Sequence, residues 1–433
     1  MSAATTGLEV RPFRALTYRR RDPGHLARVS SPAYDLVTPA GRDRLADADP
    51  HNIVRLILPR VDLAAGSEGS PEDARRRSAE LAAETLRNWE TDGVLVSDEK
   101  PSLWVYELSP ADGSEPTVGW LGAVALPSPG SGAVLPHEDT YPVAVEGRRE
   151  LLAATATDLE PIVLAHDPEP EVAELTAAAR DTVPTLEVED TDGVRHRLWR
   201  VTDPAVLGRL TDALRRTGAV IADGHHRFAA AGAYARTSPP PPGAGSILAL
   251  ITPMGPGGLR VAPIHRVLPD LDLDAAVAAA AEGFKVSELP VTGDPRAVLD
   301  AIDRWLVSPG RAGFLVTDGR RLVELSDPSP ELLTTVPSEA PPAWRALDVV
   351  LAHHGLFERL WQRGDDPESV LIAHGVAEAV ALAAERAGVA VLLRAPSPAD
   401  VAAVARAGAR MPRKSTLFVP KPRTGLVLRP LTD

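Results

Sequence analysis

The chain has 433 residues, 44% of them hydrophobic and 24% charged, with a net charge of −13 and an isoelectric point near 5.4. That composition is ordinary for a soluble globular protein and is long enough for two or three domains. The acidic balance argues against a broad nucleic-acid face, and the lack of Cys excludes disulfides, thiol nucleophiles and zinc–thiolate sites. The opening MSAATTGLEV has no basic region followed by an apolar core, so no signal peptide is expected. Val376–Leu393, the longest apolar-looking stretch, is interrupted by Glu378, Glu385 and Arg386 and does not read as a membrane span. A cytoplasmic protein with no membrane or nucleic-acid partner is the expectation.

In chain order, residues 8–16 open as a short strand. Tyr34 and Asp35 sit in a loop flanked by Pro32 and Pro39, where functional polar residues are often presented. Ile53–Leu58 reads as a strand. Ser70, Pro71, Glu72 and Asp73 make a strong helix start, with a Ser cap, Pro in the first turn and acids behind it. That helix runs to about Glu90, with Leu81, Ala82, Leu86 and Trp89 on its buried face. Leu103–Leu108 and Val118–Leu126 read as strands. In the loop 135–140, LPHEDT, His137, Glu138 and Asp139 are three ionisable neighbours; Glu138 is a candidate general base or Mg²⁺ ligand. A helix opens near Arg148, a strand covers Pro161–Leu164 and a helix Glu169–Arg180. Thr185–Glu189 and Arg195–Val201 pair as a hairpin across Asp192 and Gly193. A helix over Pro204–Arg216 then leads into the central stretch.

That stretch is Gly218–Tyr234, GAVIADGHHRFAAAGAY. Val220, Ile221 and Ala222 end a buried strand, Asp223 and Gly224 break it, and Phe228–Tyr234 is an Ala-rich helix. A strand–loop–helix of this kind aims first-turn N–H groups and the positive end of the helix dipole at an anion. Gly224 permits close approach of a ligand. Arg227 offers a phosphate-matching fork, and His225 and His226 add donors that titrate near neutrality. Asp223 is the fixed negative charge of the loop, a candidate base or metal-holding carboxylate.

Beyond it, Ile247–Thr252 is a strand, and His265 and Arg266 lie in the apolar setting VAPIHRVL. From about Leu271 helices and strands alternate, with a long helix expected over Trp344–Gln362, which suggests an α/β or α+β layer structure. The segment Met411–Arg423 gathers Arg413, Lys414, Lys421 and Arg423 with Ser415 and Thr416, a source of phosphate or carboxylate contacts. The expected division is an N-terminal α/β region, 1–237, and a C-terminal α/β region, 246–433.

The box DGHHR with its Ala-rich helix resembles the ParB/sulfiredoxin-like superfamily, in which such a loop and Arg bind nucleotide phosphates. The chain as a whole resembles the DUF1015 family, through RPFRAL (11–16), SPAYDLVTP (31–39), NIVRL (52–56), LPHEDT (135–140), IHRVL (264–268) and MPRKSTLFVPKPRTGLV (411–427). The resemblance implies a ParB/sulfiredoxin-like α/β core with an additional C-terminal α/β region. It implies ATP or ADP, with Mg²⁺, on Gly224, His225, His226 and Arg227, and assigns Lys414, Ser415 and Thr416 to the same nucleotide. Asp223, Glu138 and His226 are the candidate catalytic residues, and Asp223 and Glu138 the candidate metal ligands. His137, Thr140, His265, Arg266, Tyr34 and Asp35 are candidates for a small-molecule substrate.

The leading expectation is a nucleotide-dependent phosphotransferase acting on a small hydroxylated metabolite; the resemblance suggests a free amino acid such as serine. Phosphoryl transfer asks mainly for positioning and charge stabilisation, which an anion-binding loop, a base and a metal supply. There is no GxxxxGK[ST] loop and no protein-kinase signature, which disfavours the common kinase folds. The alternatives are a metal-dependent hydrolase built on Asp223, His225, His226, His137 and Glu138, and a non-catalytic nucleotide-binding switch.

Overall fold

The computed structural model describes residues 7–61, 70–128, 130–291, 295–308, 313–364, 366 and 368–431. They form a mixed α/β protein of two compact units, Met1–Leu259 with Pro420–Asp433, and Arg260–Val419. The division differs from the expected one at both ends. The strand Ser246–Pro253 pairs inside the first unit's sheet, so the chain leaves that unit only after Leu259. The last residues return to the first unit instead of closing the second.

The first unit is built on a nine-stranded sheet. Its strands are β1 (Val10–Arg11), β2 (Leu103–Ser109), β3 (Thr117–Ala125), β4 (Val134–Leu135), β5 (Ile162–His166), β6 (Leu186–Glu189), β7 (Arg195–Val201), β8 (Ala219–Asp223) and β9 (Ser246–Pro253). The order is β4-β8-β5-β9-β3-β2-β7-β6, with β1 on β3. β4–β8 and β5–β9 are parallel, and the other pairs are antiparallel. β5 and nearly all of β9 are buried along their length, the pattern of strands covered on both faces. Leu164, Ile221, Ala249 and Trp120 share one core with Val172 and Leu210 from the covering helices. The hairpin β6–β7 pairs Glu189 with Arg195, as the sequence predicts.

Helix α1 (Pro71–Thr91) opens with a reciprocal capping box between Ser70 and Asp73. Helices α2 (Pro142–Thr155), α3 (Pro170–Arg180), α4 (Pro204–Leu214) and α5 (His225–Ala235) complete the unit's larger helices. Two expectations change. α2 begins at Pro142, a proline suited to a first turn, rather than near Arg148. The expected strand Ile53–Leu58 is a single helical turn, Val54–Ile57. A short apolar run fits a buried strand or a buried helical turn equally, and here Asn52 decides. Its side chain accepts from Val54 N at 2.9 Å and donates to Arg28 O at 2.7 Å, capping the turn.

The C-terminal segment threads back through this unit as a strap. Thr424 exchanges backbone hydrogen bonds with Ser31, Leu428 does so with Leu16, and Arg429–Pro430 pair antiparallel with Thr157–Asp158. Arg423 Nε donates to Ser30 Oγ at 2.6 Å. Arg429 Nη1 meets Asp158 Oδ2 at 2.7 Å, both side chains buried, and Arg429 Nη2 donates to Gly243 O at 2.8 Å.

In the second unit, strands β10 (His265–Leu268), β11 (Lys285–Leu289), β12 (Gly313–Thr317), β13 (Leu322–Ser326), β14 (Leu371–Ala373) and β15 (Val389–Leu392) form a sheet in the order β11-β13-β12-β15-β10-β14. The long helix expected over Trp344–Gln362 is broken. Pro342–Arg345, Asp348–Leu351 and a π-helical turn Ala352–Leu360 replace it. No helix among the described residues is long and apolar enough to cross a membrane.

Arg429→Met strands the buried Asp158 carboxylate without its cation. We expect a loss of about 3–5 kcal/mol in urea unfolding, and a smaller loss when Asp158→Asn is added. An unchanged midpoint for the single variant would show that the Arg429–Asp158 pair contributes nothing to the unit.

Candidate functional site

The site begins where β8 ends. Gly224 has φ +93°, and a Cβ there would lie 2.7 Å from Ile162 Cγ2. Only glycine makes this turn without strain. Helix α5 therefore starts at His225, earlier than the expected Phe228, and no side chain caps it. His225, His226 and Arg227 thus form the first helical turn rather than a loop.

One helical turn separates Asp223 from Arg227, which places the guanidinium back over the carboxylate. Arg227 Nη2 meets Asp223 Oδ2 at 2.6 Å, and Arg227 Nη1 donates to Pro161 O at 2.9 Å. The second carboxylate oxygen meets Lys421 Nζ at 2.7 Å. Lys421 also pairs with Asp35, on the short turn Tyr34–Leu36. The strap thus carries a lysine between two acids from distant parts of the chain. Glu160 Oε1 accepts from Tyr34 N at 3.0 Å and from Thr424 Oγ1 at 2.9 Å. The Arg148 guanidinium lies 3.9 Å from the Tyr34 ring centroid, and that of Arg227 5.5 Å.

Charge settles the role of Asp223. Burial alone would push its carboxyl up, but Arg227 and Lys421 outweigh burial and hold it below the ordinary aspartate range. Burial pulls the Lys421 ammonium down, and Asp223 and Asp35 more than compensate, so it stays charged. An acid so stabilised is a poor proton acceptor near neutral pH. Each of its two oxygens already meets a cation. Among the described residues no group of three or more His, Cys, Asp or Glu is arranged to hold a metal.

Beside this cluster stands a second one. His137 and His225 meet edge to face with ring centroids 4.5 Å apart. His137 Nδ1 lies 2.6 Å from Ile221 O, so that nitrogen carries the proton. His225 Nε2 accepts from His137 N at 3.2 Å, which puts the His225 ring proton on Nδ1. Glu138 Oε2 is 3.8 Å from His225 Nδ1, and Oε1 is 3.9 Å from His137 Nε2. The Glu138 side chain is 37% exposed, so this carboxylate faces both the imidazoles and solvent. His226 Nε2 accepts from Tyr141 N at 3.2 Å, and its ring stacks on Tyr141. Thr140 lies in the same loop, between Glu138 and α2.

The first unit thus joins Tyr34 and Asp35 to Asp223 and Arg227, and His137 and Glu138 to His225. The remaining candidates belong to the second unit. Arg266 is buried there and donates to Lys414 O at 3.0 Å, to Arg413 O at 3.1 Å and to His353 Nε2 at 3.2 Å. It fastens the segment holding Ser415 and Thr416, both buried, and Lys414, whose φ is +51°. Burial and Arg266 pull the His265 imidazole down to about 4, so it is neutral in ordinary conditions, and its Nδ1 accepts from Leu393 N. Lys421, Glu160 and Arg148 were missing from the sequence-derived site. Lys421 had a signal in the basic run 411–423, whereas Glu160 and Arg148 become visible only through Tyr34.

Comparison with known proteins adds the following. The family described as "Protein of unknown function (DUF1015)" matches residues 10–350. No curated protein matches the chain in sequence. Among solved structures, a conserved hypothetical protein from Pyrococcus furiosus is 17% identical, with 66% of this chain and 87% of that one covered, at a TM-score of 0.29. A free serine kinase in complex with AMP is 15% identical over 66% of this chain and 84% of its own, at a TM-score of 0.30. SbnI with a C-terminal truncation, from Staphylococcus aureus, is 11% identical over 72% and 87%, at a TM-score of 0.34. Superpositions this loose leave the chemistry of the site to its own residues.

The depressed Asp223 fixes the sign of a pH effect. Its stabilising contribution is fully present above the unfolded aspartate pKa and is lost as pH falls through the lower folded value. The stability gap between wild type and Asp223→Asn, read by urea unfolding at stepped pH, should therefore be constant through neutrality and shrink only in acid. A gap that closes near neutrality would mean that Asp223 is raised instead.

Proposed function

We propose that this chain, which belongs to the DUF1015 family, is a nucleotide-dependent phosphotransferase whose phosphate cradle is the Gly224–Arg227 turn. The observation that carries the reading is the convergence of Arg227 and Lys421 on Asp223, directly at the uncapped start of α5. Helix start, guanidinium and ammonium are three sources of positive potential in one place. Asp223 holds the two cations apart and oriented until an anion shares them.

In this reading ATP or ADP places its terminal phosphates on the first turn of α5, against Arg227 and Lys421. A small hydroxylated metabolite lies toward Glu138; serine is the first to try, on the resemblance of the DGHHR box. The acceptor oxygen forms a bond to the terminal phosphorus as the bridging P–O bond breaks, and the hydroxyl proton passes to Glu138. Charge building on the leaving phosphate falls on Arg227 and Lys421, which is where electrostatic preorganisation lowers the barrier. His225 turns its Nδ1 proton toward Glu138, 3.8 Å away. Mg²⁺ would arrive as the counter-ion of the nucleotide, not on a resident protein site.

The test is calorimetric titration of ATP, ADP and CTP, with and without Mg²⁺, into the wild type, Arg227→Ala and Lys421→Ala. Each substitution removes charged contacts to phosphate, so we expect micromolar binding weakened roughly 10- to 100-fold. Product formation is then followed with serine and other hydroxylated acceptors. Binding of no nucleotide would overturn the reading. Binding with no transfer to any acceptor would leave a nucleotide-binding switch.

A further inference from the structure

The two ends of β5 differ sharply in character. Ile162 stands at the charged site, under Gly224. At the other end His166 borders an open cleft of about 370 Å³, lined by β3, β5, α3, the end of β9 and the loop after it. The volume lies in the usual range of small-molecule sites. Its wall is largely apolar and includes Trp120, Val172, Ile251, Pro253, Met254 and Pro256. Trp120 is held in place, because its indole N–H donates to Thr176 Oγ1 at 2.7 Å.

The cavity has one polar feature that the protein does not use. His166 is 1% exposed, and its Nε2 has no hydrogen-bond partner among the described residues. Its Nδ1 lies 2.7 Å from Asp167 O, so Nδ1 carries the proton and Nε2 is a bare acceptor. Burial pushes this imidazole down, which keeps it neutral. A buried acceptor left unmet is costly, and such a group in a native structure asks for an explanation. The charged residues on the wall are already paired. Glu169 meets Arg216 at 2.8 Å, and Arg180 meets Glu107. A charged ligand would find no spare counter-ion in an apolar wall, which argues for a neutral one. Trp, Pro and thioether surfaces suit the face and edge of an aromatic ring.

We propose that the cavity between α3 and the β3–β9 face binds a small neutral aromatic molecule with one hydroxyl or N–H donor, seated so that the donor meets His166 Nε2. The site is separate from the phosphate cradle and stands whether or not the chain transfers phosphate.

The probe is p-cresol, with 4-methylanisole as its methylated counterpart and toluene as the bare ring, each titrated into the full chain by calorimetry or ligand-observed NMR. In the wild type p-cresol should bind roughly tenfold tighter than 4-methylanisole, the value of one buried hydrogen bond. His166→Phe keeps the ring volume and removes the acceptor. It should weaken p-cresol roughly tenfold and leave toluene within about twofold. Ala177→Trp, which fills the cavity from α3, should abolish binding of all three and covers the case in which His166→Phe does not fold. Failure of every probe at millimolar concentration would overturn the proposal. So would equal affinity for p-cresol and 4-methylanisole, or binding that survives Ala177→Trp.

Discussion

The first unit depends on how one buried carboxylate is neutralised. Asp223 ends a strand whose neighbours on the sheet are apolar, and a lone charge there would be prohibitive. Two cations meet it. Arg227 comes from the first turn of α5, four residues downstream across the Gly224 turn. Lys421 comes from the far end of the chain and brings Asp35 with it. The cluster therefore exists only when the strap is seated. The strap in turn is fixed just after Lys421 by exchanges of Thr424 with Ser31 and of Leu428 with Leu16, and by the buried Arg429–Asp158 pair. Stability of the unit and assembly of its site are one event.

That arrangement has a chemical consequence. Arg227 and Lys421 are held in fixed positions before any ligand arrives, so little ordering entropy remains to be lost on binding. The acids that hold them also limit their attraction for anions. In the proposed reading a phosphate competes with Asp223 and Asp35 for them, and the helix start supplies the difference in its favour. Such a balance suits a site that must release its product. A cradle of unopposed cations would hold phosphate too well, lowering the ground state along with the transition state.

What could be read from the sequence was local, and what could not was topological. Gly224, Asp223 and Arg227 are contiguous, so strand, break and helix were visible, although the helix starts at the break itself. The capping box of α1 and the β6–β7 hairpin also have their signals within a few residues. The helical turn Val54–Ile57 escaped because four buried apolar residues carry no period, and the side chain of Asn52 made the choice. The return of residues 420–431 to the first unit has no local signature. Without it Lys421 is one cation in a basic run, and Tyr34 and Asp35 are a loop without a partner. The same run misleads in the second unit, where Lys414 and its neighbours are a segment clamped through their carbonyls by Arg266.

The sheet order explains why the unit can carry two unlike sites. β5 is parallel to β9 and antiparallel to β8, so the end of β8 and the end of β9 lie at opposite ends of β5. The first end meets a helix start, the Tyr34 turn and the strap, all of which bring charge. The second meets α3 and a loop rich in Pro and Gly, which bring apolar surface and little else. Burial of β5 on both faces keeps the two apart, since no polar group of its interior offers a path between them. On the apolar side burial pushes the His166 imidazole down and keeps it neutral, whereas on the other side Arg227 and Lys421 hold the Asp223 carboxylate ionised. One strand thus separates a charged cluster from a largely apolar wall whose few charges are already paired, and the ligands proposed for each end follow from that difference.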